Sequence, residues 1–176
     1  MTRAGKGTEG GARTTRQLER TPLDDASPRD GCGTPPGLAI DRLRVPTAVI
    51  SCNEAAAARG VPLAQELKTL VLRTTNGMVA AHLPGDAILS LRKVKRRLAA
   101  AEACLADPHD LWSLGLAAGT VSAVLDPVWS MPHLVSVRLL QMPTVTTNDG
   151  TLLGYFAFDP QILTGAAEVL LGEFES

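Results

Sequence analysis

Large apolar residues are nearly absent from residues 1–37 and recur in short runs from residue 38 onward. The first stretch is rich in Gly, Thr, Pro and charge, and cannot bury enough surface to offset the entropy of ordering it. It is expected to be a mobile N-terminal tail, with the folded domain over residues 38–176. Within that domain the runs alternate between helical and strand spacing. "PTAVIS" (46–51) predicts a short strand. "SCNEAAAARG" predicts a helix with Ser51 as N-cap, Glu54 completing an S-x-x-E capping box and Gly60 ending it. "VPLAQEL" predicts a second, short helix with Pro62 in its first turn. "TLVLRTTNGMVAAHLPG" predicts a hairpin closed by a type I′ turn at Asn76-Gly77. "SLRKVKRRLAAA" predicts a helix capped by Ser90, with Leu91, Val94 and Leu98 toward the core.

The pattern continues with a short strand in "AEACLA" and a helix in "DPHDLWSLGL", where Asp107 is the N-cap and Pro108 the first helical residue. A Gly/Ala/Ser loop follows (115–127). "LVSVRLL" and "TVTTNDGTLLGYFAF" supply further strands, the latter pair turning at 148–150. "DPQILTG" predicts a short helix, and "AEVLLGEF" a strand that closes the sheet. Hairpins dominate, and no regular βαβ repeat is present. The expected fold is mixed α/β: a compact, largely antiparallel or mixed sheet, or a partly closed barrel, flanked by helices.

Composition narrows the class. The chain has 176 residues, 45% hydrophobic, enough for one ordinary domain core. A net charge of −1 gives no global basic field, so nucleic-acid contact would need a local patch. Aromatics at 3% argue against stacking platforms for single strands. Cys32, Cys52 and Cys104 form no paired or metal-binding spacing, which fits a reducing compartment. No apolar run reaches membrane-spanning length and no signal-peptide core is visible, so a cytoplasmic protein without a membrane role is expected. P-loop, G-x-G-x-x-G, H-E-x-x-H and G-x-S-x-G patterns are missing. His82, His109 and His133 are widely spread with no metal spacing, so neither metal nor cofactor is expected.

Four features stand out. Lys68 lies at the mouth of the apolar run "TLVLR", where a cation is costly to bury. His82 is followed by a tight turn at Pro84, Gly85 and Asp86. In "GLAAGTVSA" (115–123) small residues allow backbone N–H groups to approach a ligand closely. "TTNDG" (146–150) is a polar turn at a strand end. Taken singly, each has a bland explanation: a lysine stem snorkelling along the surface, a turn, a connector.

Their order is the informative property. "EAAAARGVPLAQELKTLVLR", "HLPGDAILSLRKVKRRL", "GTVSA" and "VRLLQMPTVTTNDG" together resemble the YbaK/ProX-type aminoacyl-tRNA editing domain, also found inserted in bacterial prolyl-tRNA synthetases. The resemblance covers residues 44–174. It implies a compact mixed sheet wrapped by helices, hydrolysis of the ester joining a wrong amino acid to tRNA, and a hallmark lysine matched by Lys68. It also implies a Gly-x-x-x-Pro loop, matched over 119–123 except that Ala123 stands where proline is expected. A second departure is Ser136, where many relatives are acidic.

An aminoacyl ester is already activated. Its hydrolysis needs a positioned water, a stabilised oxyanion and a held carbonyl, not a nucleophilic triad. The resemblance thus implies catalytic roles for Lys68, Gly119 and Thr120. Lys68 is expected as an electrostatic positioner, with a substrate hydroxyl activating water; a general-base lysine is the second reading. Substrate-binding candidates are His82, Pro84, Gly85, Asp86, Val121, Ser122, Ala123, Thr147 and Asn148. Ala117, Ala118, Gly119, Thr120, Ser122 and Ala123 suggest a small pocket and hence a small amino acid such as Ala, Ser, Cys or Pro. Arg92, Lys93, Lys95, Arg96 and Arg97 concentrate charge for phosphate contact with tRNA. The expected partner is the acceptor end of an aminoacyl-tRNA, with a synthetase as a second candidate. A non-catalytic aminoacyl-tRNA or synthetase-binding module and a tRNA-dependent aminoacyl-transfer enzyme are the competing readings.

Overall fold

A computed structural model describes residue 34 and residues 37–176. The predicted tail lies outside the described residues except for Thr34 and Gly37, and so does Cys32. The strands are β1 (Asp41–Arg44), β2 (Leu67–Thr74), β3 (Gly77–Pro84), β4 (Ala103–Leu105), β5 (His133–Ser136), β6 (Val145–Asn148), β7 (Gly154–Phe158) and β8 (Val169–Gly172). The helices are α1 (Cys52–Arg59), α2 (Leu91–Leu98) and α3 (Pro108–Ser113), with 3-10 turns at Leu63–Gln65, Leu139–Gln141 and Pro160–Gly165. The fold is mixed α/β, as the hairpin-rich pattern predicts.

The strands form two sheets: an antiparallel β1-β7-β6 and a mixed β4-β2-β3-β5-β8. In the larger sheet β3 pairs parallel with β5, and β5 parallel with β8. An isolated parallel bridge between Glu66 and Thr146 joins the two sheets. The result is partial closure, without a barrel. One apolar cluster fills the space between the sheets, with Leu67, Ala123, Val135, Phe156 and Phe158 at its centre. A second, around Leu72, Leu83 and Phe174, receives Val94, Leu91 and Leu98 of α2, the face that the i, i+3, i+7 spacing predicts. A third, around Val71, Ala80 and Val128, receives Leu111 of α3 and Val121 of the Gly/Ala loop.

Local signals are met where predicted. Ser51 and Glu54 form the reciprocal capping box of α1, and Gly60 closes it at φ 68°. Asp107 and Asp110 do the same for α3, with Pro108 in its first turn. Other expectations change: the strand in "LVSVRLL" ends at Ser136 and gives way to the 3-10 turn Leu139–Gln141, and the helices of "VPLAQEL" and "DPQILTG" are 3-10 turns. The first strand is Asp41–Arg44, paired with β7, and residues 46–51 form no strand: the chain bends at Pro46 and Thr47, and the Val49 N–H donates to Leu152 O. The hairpin turn is not type I′. Thr74 pairs with Gly77, and the positive φ falls on Gly77 (118°) while Thr75 and Asn76 stay in the negative half of the map. Ser90 stands at the N-cap of α2 without a side-chain capping bond.

The joint between the sheets is polar and buried. Arg59 Nη1 donates to Glu66 Oε1 at 2.5 Å, and Thr146 Oγ1 donates to Glu66 Oε2 at 2.7 Å. The Arg59 and Glu66 side chains are 1% and 6% exposed, and the guanidinium lies 4.8 Å over the Tyr155 ring. Removing one member of a buried ion pair leaves an uncompensated charge, whereas replacing both with apolar groups costs less. Arg59→Met is therefore expected to cost about 3–5 kcal/mol. The double variant Arg59→Met/Glu66→Leu should recover much of that loss, as read by urea denaturation. Equal losses in the two variants would contradict this account.

Candidate functional site

Beside this joint lies a cleft of about 180 Å³. Three parts of the chain build most of it. The N-terminus of α1 and the segment before it contribute Val49, Ile50, Ser51, Cys52 and Ala55. The front of β2 contributes Leu67, Lys68, Thr69 and Leu70, on the edge that β4 leaves unpaired, since β4 pairs with β2 only over Leu72, Arg73 and Thr74. Gly119 and Val121 close the far side together with Asn148 at the end of β6. The volume lies below the roughly 300–1,000 Å³ of drug-sized sites.

Lys68 is half-buried on this cleft, and its ammonium is not a snorkelling group. Nζ donates to Ala87 O and, at 3.5 Å, to Gly85 O. Two of its three N–H donors are thus held by the turn after β3. That turn needs glycine: a Cβ on Gly85 would stand 2.7 Å from Leu63 O. The Gly85 and Ala87 carbonyls therefore orient Lys68, whereas Pro84, Gly85 and Asp86 do not line the cleft, and Asp86 pairs with Arg138 at 3.1 Å on the surface. The adjacent Glu66 carboxyl is pushed up by burial, against the Thr146 hydrogen bond and the Arg59 charge. Cys52 is also pushed up, by burial and then by Glu66, with Lys68 and Arg59 opposing. A thiol raised in this way is a poor nucleophile.

The loop over 119–123 is held by packing in place of the expected proline. Val121, Ser122, Ala123, Val124 and Leu125 are all buried, Ala123 completely. Asn148 Nδ2 donates to Val121 O at 3.1 Å, tying the loop to β6. Gly119 takes φ +84°, a conformation that glycine adopts without strain. The Thr120 N–H donates to Ala117 O at 3.1 Å, so it is used inside the turn. Ser122, Ala123 and Thr147 are buried and Thr120 is half-buried, none of them in the cleft lining, and Ala117 and Ala118 are exposed outside it. Ser136, where an acidic residue is expected, donates its hydroxyl to Glu175, which brings a carboxylate to that place from the C-terminal segment.

His82 and His133 are not isolated. They stack with centroids 4.8 Å apart, and Nε2 of His82 lies 2.7 Å from Nδ1 of His133. Both are fully buried, brought together by the parallel pairing of β3 with β5, in which His82 faces Val135 and Ala80 faces His133. Among the described residues no cluster could hold a metal ion, and no helix is long and apolar enough to cross a membrane.

The basic residues of α2 form a separate surface. Arg92, Lys95, Arg96 and Arg97 are exposed and Lys93 half-buried. A second cleft, of about 470 Å³, is lined by Lys93, Arg96, Arg97, Gly172, Glu173 and Phe174. Among the described residues none of the five cations is in an ion pair.

A family model for the aminoacyl-tRNA editing domain matches residues 47–160. The chain belongs to this family. The fold is also found in solved structures. Hypothetical protein APE2540 is 25% identical with a TM-score of 0.72, over 80% of this chain and 93% of that one. A candidate trans-editing enzyme for prolyl-tRNA synthetase is 24% identical with a TM-score of 0.70, over 78% of this chain and 87% of that one. A signal-transduction candidate from Marinobacter aquaeolei VT8 shares the fold at 16% identity and a TM-score of 0.54, as 27% of a longer chain. No curated protein sequence matches significantly.

Of the residues expected at the site, the cleft of this editing domain brings together Lys68, Gly119, Val121 and Asn148. It adds Cys52, Arg59, Glu66 and Thr69, which sequence reasoning passed over. The charged Glu66 directly before an apolar strand was the visible signal; its partner Arg59 ends the preceding helix.

The buried histidines give a pH dependence. Burial, then the neighbouring ring, holds His82 well below the usual value of 6.5, and burial lowers His133 from the same value. Below about pH 6.5 the unfolded chain takes up protons that the native rings refuse, so stability falls on acidification. Glu66, raised in the fold, acts in the opposite sense. Melting temperature should drop between about pH 7.5 and 5.5, and His82→Gln should flatten that drop. A flat wild-type profile would contradict the assignment.

Proposed function

We propose that this protein is a trans-acting deacylase that hydrolyses the ester of a mischarged tRNA carrying a small amino acid. The observation that carries the proposal is the placement of Lys68. Its ammonium is fixed by the Gly85 and Ala87 carbonyls at the rim of a small cleft that it shares with Gly119. The family supports aminoacyl-tRNA as substrate, and a cytoplasmic location is part of the same reading.

In this reading the terminal ribose lies at the rim and the acyl group enters between Val49, Ala55, Leu70 and Val121. Small aliphatic amino acids suit both the volume and these walls, and they are the ones a synthetase pocket rejects poorly. Lys68 holds the ester end by charge. The Gly119 N–H meets the carbonyl oxygen as it becomes an oxyanion; such a donor is worth about 3–4 kcal/mol of barrier. Water attacks the ester carbon, the carbon–oxygen bond to the ribose breaks, and the ribose oxygen leaves with a proton. The free amino acid and the deacylated tRNA are the products. The unpaired cations of α2 contact acceptor-stem phosphates without reading sequence.

Two outcomes test this. Across a panel of mischarged tRNAs the protein should release a small amino acid, and Lys68→Ala should slow release at least about a hundredfold. No hydrolysis on any tRNA, or an unchanged rate in Lys68→Ala, would refute it. Arg96→Glu/Arg97→Glu should weaken tRNA binding and lower the slope of log affinity against log salt by about two; an unaltered slope would remove α2 from the interface.

A further inference from the structure

Thr69 lines the cleft next to Lys68 and stands opposite His82 across the β2–β3 hairpin. Its Oγ1 lies 3.1 Å from Nδ1 of His82. From there a buried chain continues through Nε2 of His82 to Nδ1 of His133 at 2.7 Å, and from Nε2 of His133 to Trp129 O at 3.2 Å. The last acceptor fixes the direction of the whole chain. A backbone carbonyl can only accept, so Nε2 of His133 carries a proton and donates it. A fully buried ring without an anionic partner is neutral, so Nδ1 of His133 is a bare acceptor. His82 must then donate from Nε2, which leaves its own Nδ1 bare. Among the described residues, the proton available to that nitrogen is the hydroxyl proton of Thr69.

We propose that Thr69 works in this cleft purely as a hydrogen-bond acceptor, its one proton turned inward to His82, and that it holds and orients the attacking water. The role rests on the deacylase reading of the cleft. An ordinary threonine hydroxyl is free to rotate and serves as donor or acceptor. Here the histidine pair removes that freedom, so the oxygen presents only lone pairs. A water that donates one hydrogen to Thr69 Oγ1 has its own lone pair free to meet the ester carbon. His82 does not take the proton in this scheme. Charging a buried imidazole beside a second one is unfavourable, and among the described residues no carboxylate contacts either ring. The relay is therefore a positioning device. The water proton leaves with the ribose oxygen, which keeps the reaction balanced without a protein base.

The experiment has two arms on the full chain. In the first, 15N-edited NMR of the imidazoles at neutral pH should show both His82 and His133 as neutral rings protonated at Nε2. A proton on Nδ1 of His82 would overturn the proposal. In the second, deacylation of the preferred mischarged tRNA is compared in wild type, Thr69→Val and Thr69→Ser. Thr69→Val keeps the shape and removes the acceptor, so kcat should fall about tenfold or more with KM within about twofold. Thr69→Ser, which restores a hydroxyl, should recover kcat to within about threefold of wild type. An unchanged kcat in Thr69→Val, or a rise in KM alone, would overturn the role. If the wild type hydrolyses no aminoacyl-tRNA, the deacylase reading and the water-holding role fail together, while the NMR arm still decides whether Thr69 is an acceptor.

Discussion

Glu66 is the residue on which the geometry of the cleft depends. It sits at the point where the two sheets meet, before the first residue of β2, and its two oxygens reach in different directions. One takes Arg59 from the end of α1; the other takes Thr146 from β6. A single buried carboxylate thus sets the positions of the helix, the small sheet and the front of β2 relative to one another. Those are the parts that wall the cleft. Burying the charge is unfavourable, and that cost is the reason the arrangement is specific: the carboxylate tolerates the interior only when both partners are in place.

The same logic extends to the Lys68 end of the cleft. Lys68 follows Glu66 by two residues and is held by backbone carbonyls of a turn whose glycine is required by the close approach of Leu63. The loop that faces it lacks the proline that would stiffen it, and gains rigidity from five consecutive buried residues and from Asn148. No nucleophile–base pair of the triad type lines the cleft among the described residues. The one thiol present is made less reactive by burial. An activated ester needs no nucleophile from the protein, only fixed donors, acceptors and charge, and those are what the walls hold.

Sequence made the local features legible and left the distant ones obscure. The two capping boxes, the Gly60 stop, the apolar face of α2 and the existence of the hairpin follow from interactions within a few residues. β1 escaped because "DRLR" is a mostly exposed strand whose only apolar signal is Leu43, while the more apolar 46–51 buries only Val49 and forms no strand. The turn type escaped because the positive φ needed only Gly77 and not Asn76. The site was partly readable: the ordered motifs led to Lys68, Gly119, Val121 and Asn148. His82 with His133, 51 positions apart, and Glu66 with Thr146, 80 apart, meet only through strand register. No spacing rule reports that.

The central claim is that an aminoacyl ester binds between Lys68 and Gly119. The most direct measurement is backbone NMR titration with a non-hydrolysable 3′-aminoacylamido-adenosine bearing a small side chain. Amide shifts concentrated at Cys52, Lys68, Thr69, Gly119 and Val121, and lost in Lys68→Ala, are the predicted result. Shifts confined to α2 and the Phe174 groove, or no saturable shifts at all, would contradict it.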